Sequence, residues 1–125
     1  MRVLPHLMFQ GTLSPALEVW CRAFPDMSIR RLDDGDGPIT RAEVTLCGQT
    51  VSVFDSPQVH DFDFTPAFSF MVQCSTTREV DRLAAILGED GRVMMPMDAY
   101  PFSPRFTWIT DPFGVNWQIM MVPDD

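Results

Sequence analysis

Imidazole, thiol and carboxylate side chains carry most protein chemistry, and this chain offers few in telling arrangements. The only imidazoles are His6 and His60. Neither has a serine or cysteine beside it in a recognised nucleophile–base order, so no such pair is discernible. The stretch "VHDFDF" groups His60, Asp61 and Asp63, but an acidic run of this kind reads first as a solvated loop. Cys21, Cys47 and Cys74 are an odd set within apolar patterns and read as reduced core thiols of a cytoplasmic protein. The one G-x-G, Gly35-Asp36-Gly37 in "DDGDGP", leads into Pro38 and a strand. It lacks the glutamate that closes a calcium loop and the helix that follows a Gly-rich cofactor loop, so a hairpin loop is expected.

The balance of 17 acidic against 9 basic residues gives a net charge of -8. The basic residues are scattered, with Arg30-Arg31 the only adjacent pair, so nucleic acid is not an expected partner. No stretch approaches the roughly 20 apolar residues of a membrane helix. "MRVLPHLMF" has a single positive charge and no small-residue cleavage site, so a signal peptide is not expected and the localisation reads as cytoplasmic. A length of 125 residues suits one domain with one real core.

The elements that would position these groups are written twice. "LSPALEVWCRAF" sets Leu17, Trp20, Cys21 and Phe24 on one helical face, and "TTREVDRLAAILG" sets Val80, Leu83, Ala84 and Leu87 at the same spacings. Ser14 with Pro15 suggests one N-terminus; Thr76 with Glu79 suggests a capping box, and Gly88 a stop. "HLMFQ" before the first helix overlays "SFMVQ" before the second, and "CGQTVSVF" overlays "FGVNWQIM". Each half therefore reads strand, helix, then three strands: roughly 27–32, 40–47 and 50–54, and again 91–95, 105–110 and 115–122. This is an α+β chain of two βαβββ modules, about 1–63 and 64–125. "PMDAYPFSPR" (96–105) is expected to be a loop, either a pocket lid or cover for a core edge or subunit contact. Trp20, Trp108 and Trp117 are expected in the core. In "TDPFGVNWQI", Asp111, Pro112 and Gly114 take the preferences of a type I turn into the last strand. Alternation there puts Val115, Trp117, Ile119 and Met121 on one face and Asn116, Gln118 and Met120 on the other.

Paired βαβββ modules with an aspartate-proline-x-glycine turn before the final strand resemble the vicinal oxygen chelate, or glyoxalase/bleomycin-resistance/dioxygenase, superfamily. "LMFQG", "LEVWCRAFPD", "FTPAFSFMVQC" and "DPFGVNWQI" resemble its PhnB-like branch, often labelled a demethylubiquinone methyltransferase domain. The resemblance covers nearly the whole chain. It implies a single domain whose curved sheets form a cup with the helices outside, a small-molecule ligand in that cup, and a homodimer. It offers three functions: a metal-assisted lyase, isomerase or dioxygenase; non-catalytic sequestration of the bleomycin-resistance type; or methyl transfer, for which no S-adenosylmethionine loop is visible.

In metal-using members each module gives one ligand from its first strand and one from its last. The final-strand position, four residues beyond the turn glycine, is Gln118 here, and its first-module counterpart is Ser52. With Leu7 and Phe9 facing the helix, His6, Met8 and Gln10 turn to the cup, and the repeat maps them to Ser69, Met71 and Gln73. The expected pocket is therefore His6, Met8, Gln10, Ser52, Ser69, Met71, Asn116, Gln118 and Met120, with His6 and Gln118 as the ligands of one divalent metal ion. His6, Ser52, Ser69 and Gln118 are nonetheless a poor donor set for such an ion. No carboxylate is expected on the cup-facing positions, and His60 lies where the branch often carries a histidine near the cup.

Overall fold

Two amphipathic helices form where the apolar spacing is 3.6-periodic. The structure, a computed structural model, describes residues 1–123. Helix α1 (Leu13–Ala23) buries Leu13, Ala16, Leu17, Trp20 and Ala23, and helix α2 (Thr77–Leu87) buries Val80, Leu83 and Leu87. Helix α1 starts earlier than Ser14 would set it. Thr12 is the N-cap residue and makes no side-chain cap bond, while Ser14 and Pro15 lie inside the first turn. Leu13 is completely buried at this early start, and a proline is tolerated in the first turn because its N–H groups lack helical partners anyway. The second cap forms as expected: Glu79 N–H donates to Thr76 Oγ1 at 3.2 Å, and Glu79 Oε1 accepts from Ser75 N–H and the Thr76 hydroxyl. Gly88 ends α2 in the right-handed region, and the positive φ of 59° falls at Asp90 instead.

The remaining elements are strands, and they divide between two compact units, Met1–Asp63 and Phe64–Asp125. The first unit contains β1 (His6–Phe9), β2 (Ser28–Arg31), β3 (Arg41–Leu46) and β4 (Gln49–Asp55) around α1. Its sheet runs β1-β4-β3-β2, with β1 parallel to β4 and the other neighbours antiparallel. Leu7, Phe9, Ala42, Val44, Leu46, Val51 and Val53 are buried along one face of this sheet. Phe9 meets Trp20 edge to face with ring centroids 5.9 Å apart, so α1 covers that face. The second unit contains β5 (Phe70–Cys74), β6 (Arg92–Tyr100), β7 (Ser103–Thr110) and β8 (Asn116–Met121) around α2. Its sheet runs β5-β8-β7-β6, again with the first and last strands of the unit parallel. The chain is thus an α+β fold of two βαβββ modules in two mixed sheets.

One segment departs from expectation. Residues 96–105 are not a loop: β6 runs to Tyr100 and turns directly into β7 at Ser103. Pairing with β7 shifts register three times along β6, and Pro96 sits within it, which only an edge strand tolerates. The edge position exposes β6 residues on both faces, which erases the alternation that marks a strand in sequence.

The turn before the last strand is a three-residue hairpin loop. Gly114 N–H donates to the Asp111 carbonyl at 3.0 Å, Asp111 N–H donates to Val115 O at 2.8 Å, and Gly114 has φ of +92°. That is a type I turn closed by a left-handed glycine. The Asp111 carboxylate, 3% exposed, accepts from the N–H groups of Phe113 and Val115 and from Trp117 Nε1. The aspartate therefore ties the turn to a tryptophan in the core beneath it.

Candidate functional site

With helix α1 on one face of the first sheet, alternation turns the other face open. His6 and Met8 of β1, Thr50, Ser52 and Phe54 of β4, Arg41, Glu43 and Thr45 of β3, and Ser28 and Arg30 of β2 share it by register. One cross-strand row runs through all four strands. His6 pairs with Ser52, Ser52 with Glu43, and Glu43 with Arg30. Four strands at the usual spacing span about 14 Å.

The row is hydrogen-bonded at both ends. His6 Nδ1 lies 2.8 Å from Ser52 Oγ, which leaves Nε2 as the ring nitrogen directed elsewhere. At the other end Glu43 receives Arg2 through Nη1 and Nη2 at 3.4 and 2.9 Å and Arg30 through Nη2 at 3.0 Å. Hydrogen bonds from Arg2 and then Arg30, with their charges, hold the Glu43 carboxyl below its ordinary value. Glu43 thus stays an anion at neutral pH and is unsuited to donate a proton. The serine–histidine contact was not visible in the sequence, because its partners are 46 residues apart. It is the geometry of a nucleophile and base, but acyl transfer also needs oxyanion donors. Ser52 lies mid-strand with its own N–H bonded to the Pro5 carbonyl. Glu43 puts a carboxylate on this face at a position outside the expected pocket set.

Gln10 follows β1 and anchors a loop of its own unit. Its Nε2 donates to the Phe62 carbonyl at 2.9 Å and its Oε1 accepts His60 N–H at 3.0 Å. The His60 ring stacks on Phe62 with centroids 4.8 Å apart. The loop "VHDFDF" is therefore fastened to the end of β1, and the amide of Gln10 is occupied in fastening it.

The second unit repeats the arrangement with different chemistry. Gln118 of β8 donates through Nε2 to Ser69 Oγ at 3.1 Å. Gln118 pairs with Met71 on β5 and with Trp108 on β7. Met71 is 54% exposed, while Ser69 and Gln118 are half-buried. Asn116 and Met120 share this face but are 1% and 7% exposed. The Asn116 Oδ1 accepts from Trp108 Nε1 and Thr110 Oγ1, and its Nδ2 donates to the Gly114 carbonyl. Phe106, the β7 partner of Met120, packs against Tyr100 and Phe102. Asn116 and Met120 thus brace the sheet. Trp20 and Trp117 are core residues; Trp108 is half-buried.

The structure brings the four expected ligand positions together as two pairs, one per unit: His6 with Ser52, and Ser69 with Gln118. As donors they are one imidazole, two hydroxyls and one amide, which do not fit a divalent cation that prefers imidazole, carboxylate or thiolate. Among the described residues no group of three or more His, Cys, Asp or Glu is placed to hold a metal. The cysteines divide differently from expectation. Cys74 is buried, whereas Cys21 on the outer side of α1 and Cys47 in the β3–β4 turn are exposed. Cys47 takes φ of 48° ahead of Gly48 because the tight turn requires it. No described helix is long and apolar enough to cross a membrane.

The fold is shared with known proteins. A family model described as 3-demethylubiquinone-9 3-methyltransferase matches residues 1–120. A solved PhnB protein from Bacillus cereus, bearing that same enzyme name, is 36% identical, with a TM-score of 0.83 over 98% of this chain and 100% of its own. Protein PA1353 from Pseudomonas aeruginosa, 21% identical, has a TM-score of 0.81 over 99% of each chain and shares the fold. A glyoxylase/bleomycin resistance protein/dioxygenase domain from Frankia sp. EAN1pec shares it too, at 14% identity and a TM-score of 0.67 over 99% of this chain and 93% of its own. No curated protein matches the chain. Two βαβββ units, the Asp111 turn and a family match over residues 1–120 have one meaning: the chain belongs to the PhnB-like family, the 3-demethylubiquinone-9 3-methyltransferase family by its model's name.

Proposed function

We propose that this PhnB-like protein binds small organic molecules on the open face of each sheet, at His6–Ser52 in the first unit and at Ser69–Gln118 in the second, and that it does so without a resident metal. The observation that carries this reading is the donor set: the four positions hold one imidazole, two hydroxyls and an amide, already hydrogen-bonded in pairs. Hydrogen-bonding groups without a carboxylate or thiolate, beside the thioethers of Met8 and Met71, suit an adaptable organic ligand better than a Lewis-acid centre. Binding and sequestration, as in the bleomycin-resistance relatives, is therefore preferred to a lyase, isomerase or dioxygenase.

Elemental analysis of untagged protein, purified without chelator and again after soaking in zinc, nickel, manganese and iron salts, tests this. The expected result is no stoichiometric ion. Close to one ion per chain, lost on His6→Ala or Gln118→Ala, would overturn it and give those two residues the ligand role instead. Methyl transfer, suggested by the family name, is not favoured by the loops. Gly35-Asp36-Gly37 joins two antiparallel strands, and Gly35 N–H donates to Asp33 Oδ1 at 3.0 Å. A cofactor loop of the usual kind joins a strand to a helix. A thermal-shift titration with S-adenosylmethionine is expected to be flat.

A further inference from the structure

The basic residues are scattered in sequence, yet the first unit gathers three of them on one face. Arg30 and Arg41 turn outward there by alternation, and Arg2 reaches the same face through Glu43. Every one of the nine cationic side chains in the protein is an arginine. Against these three the strand positions of the face contribute one carboxylate, Glu43; their other members are histidine, serine, threonine, methionine and phenylalanine. The face is thus locally cationic on a chain of net charge -8.

Glu43 gives the cations their geometry. Its side chain is 15% exposed, while the two guanidiniums it holds, Arg2 and Arg30, are 59% and 66% exposed. A guanidinium has five N–H donors in a planar fork. Glu43 occupies two nitrogens of Arg2 and one of Arg30, so each keeps donors directed to solvent. One anchored anion between two exposed cations leaves a net positive charge with its forks pre-positioned. Beyond it on the row, Ser52 Oγ and the His6 ring offer further hydrogen-bonding groups. The nearby Asp33 carboxylate in the β2–β3 loop is already engaged with Arg31 Nε and with the N–H groups of Gly35, Thr40 and Arg41.

We infer that the open face of the first sheet recognises an organic anion, a small molecule whose carboxylate or phosphate sits at Arg2 and Arg30 and whose body runs along the row toward Ser52 and His6. The inference rests on the ligand-binding reading above and names the class of molecule. Arginine forks match both oxyanions bidentately. Both guanidiniums are more than half exposed, so each ion pair stabilises the fold by little, and removing one arginine leaves Glu43 paired with the other.

Amide chemical-shift titrations of the isotope-labelled protein with benzoate, phenyl phosphate and uncharged benzamide test this. The anions are expected to move the signals of His6, Arg30, Glu43 and Ser52 saturably, and benzamide is not. Stronger binding of phenyl phosphate than of benzoate would identify the phosphate as the preferred group, and the reverse order the carboxylate. Arg30→Gln and Arg2→Gln, checked for unchanged spectral dispersion, are each expected to weaken the bound anion about three- to tenfold, the loss of a charge-assisted contact at an exposed site. Arg92→Gln, in the second unit, is expected to leave it unchanged. If benzamide moves the row as strongly as the anions do, the anion inference falls while the ligand-binding reading stands. If both arginine variants bind unchanged, or no probe moves the row, the inference is overturned.

Discussion

Replacing Asp111 by alanine removes the acceptor at the centre of the β7–β8 turn. The carboxylate accepts from Phe113 N–H and Val115 N–H at 3.0 Å each and from Trp117 Nε1 at 2.9 Å. Val115 and Trp117 are 2% and 1% exposed, so water cannot reach their donors once the carboxylate is gone. A buried donor deprived of its acceptor costs about 1–3 kcal/mol, and two such donors put Asp111→Ala at about 2–6 kcal/mol. With a urea dependence of about 2 kcal/mol/M, the midpoint should fall by about 2 M. Asp111→Asn keeps an oxygen for the two backbone N–H groups but turns an amide N–H₂ toward the indole N–H. It should therefore lose about 1–3 kcal/mol, and adding Trp117→Phe should remove most of that conflict. Urea unfolding followed by circular dichroism on the two single variants, Asp111→Asn and Trp117→Phe, and their double measures the coupling. Additive losses, or an Asp111→Ala cost below about 1 kcal/mol, would refute the account of the turn.

Three further expectations concern other parts of the chain. A methyl group on Gly91 would collide with the Thr110 carbonyl oxygen and approach Asp111 Cα to 3.2 Å; Gly91→Ala should lower stability by about 1–3 kcal/mol, read from its thermal midpoint. Asp33 and Glu43 both have lowered pKa values, through the Thr40 N–H and Arg31 for the first and through Arg2 and Arg30 for the second. The unfolded chain therefore binds protons at higher pH than the folded one, so their stabilisation is full above the ordinary carboxylate range near about pH 4 and is lost as pH falls below it. Asp33→Asn should flatten the acid limb of a plot of Tm against pH; an unchanged limb would count against the loop network. Two thiols per chain, Cys21 and Cys47, should react rapidly with a disulfide reagent, since both are exposed and Cys21 lines an open hollow of about 580 Å³ beside Ile29 and Pro38. Cys74, 4% exposed, should react only on unfolding.

Legibility followed the strength of each local signal. Helical faces and the second capping box were readable because their partners lie within one or two turns. The first helix began early because tertiary burial of Leu13 outweighed the capping preference of Ser14. Residues 96–105 were missed because an edge strand need not alternate, and the two exposed cysteines because an apolar neighbour in sequence is not an apolar neighbour in space.

The candidate site shows the same division more sharply. The sequence alone determined which side of each strand a residue takes: in "RAEVTL" the buried set Ala42, Val44 and Leu46 already turns Arg41, Glu43 and Thr45 outward. It also carried the repeat and the Asp111 turn, while the four positions that form His6–Ser52 and Ser69–Gln118 came from the family resemblance mapped through that repeat. Only the tertiary structure decided which outward residues stand side by side. Side-chain direction follows from a local period of two, but a row such as His6, Ser52, Glu43 and Arg30 depends on strand order and register. Those are fixed by burying a whole sheet face under a helix, where a slip of one residue would turn every core side chain outward.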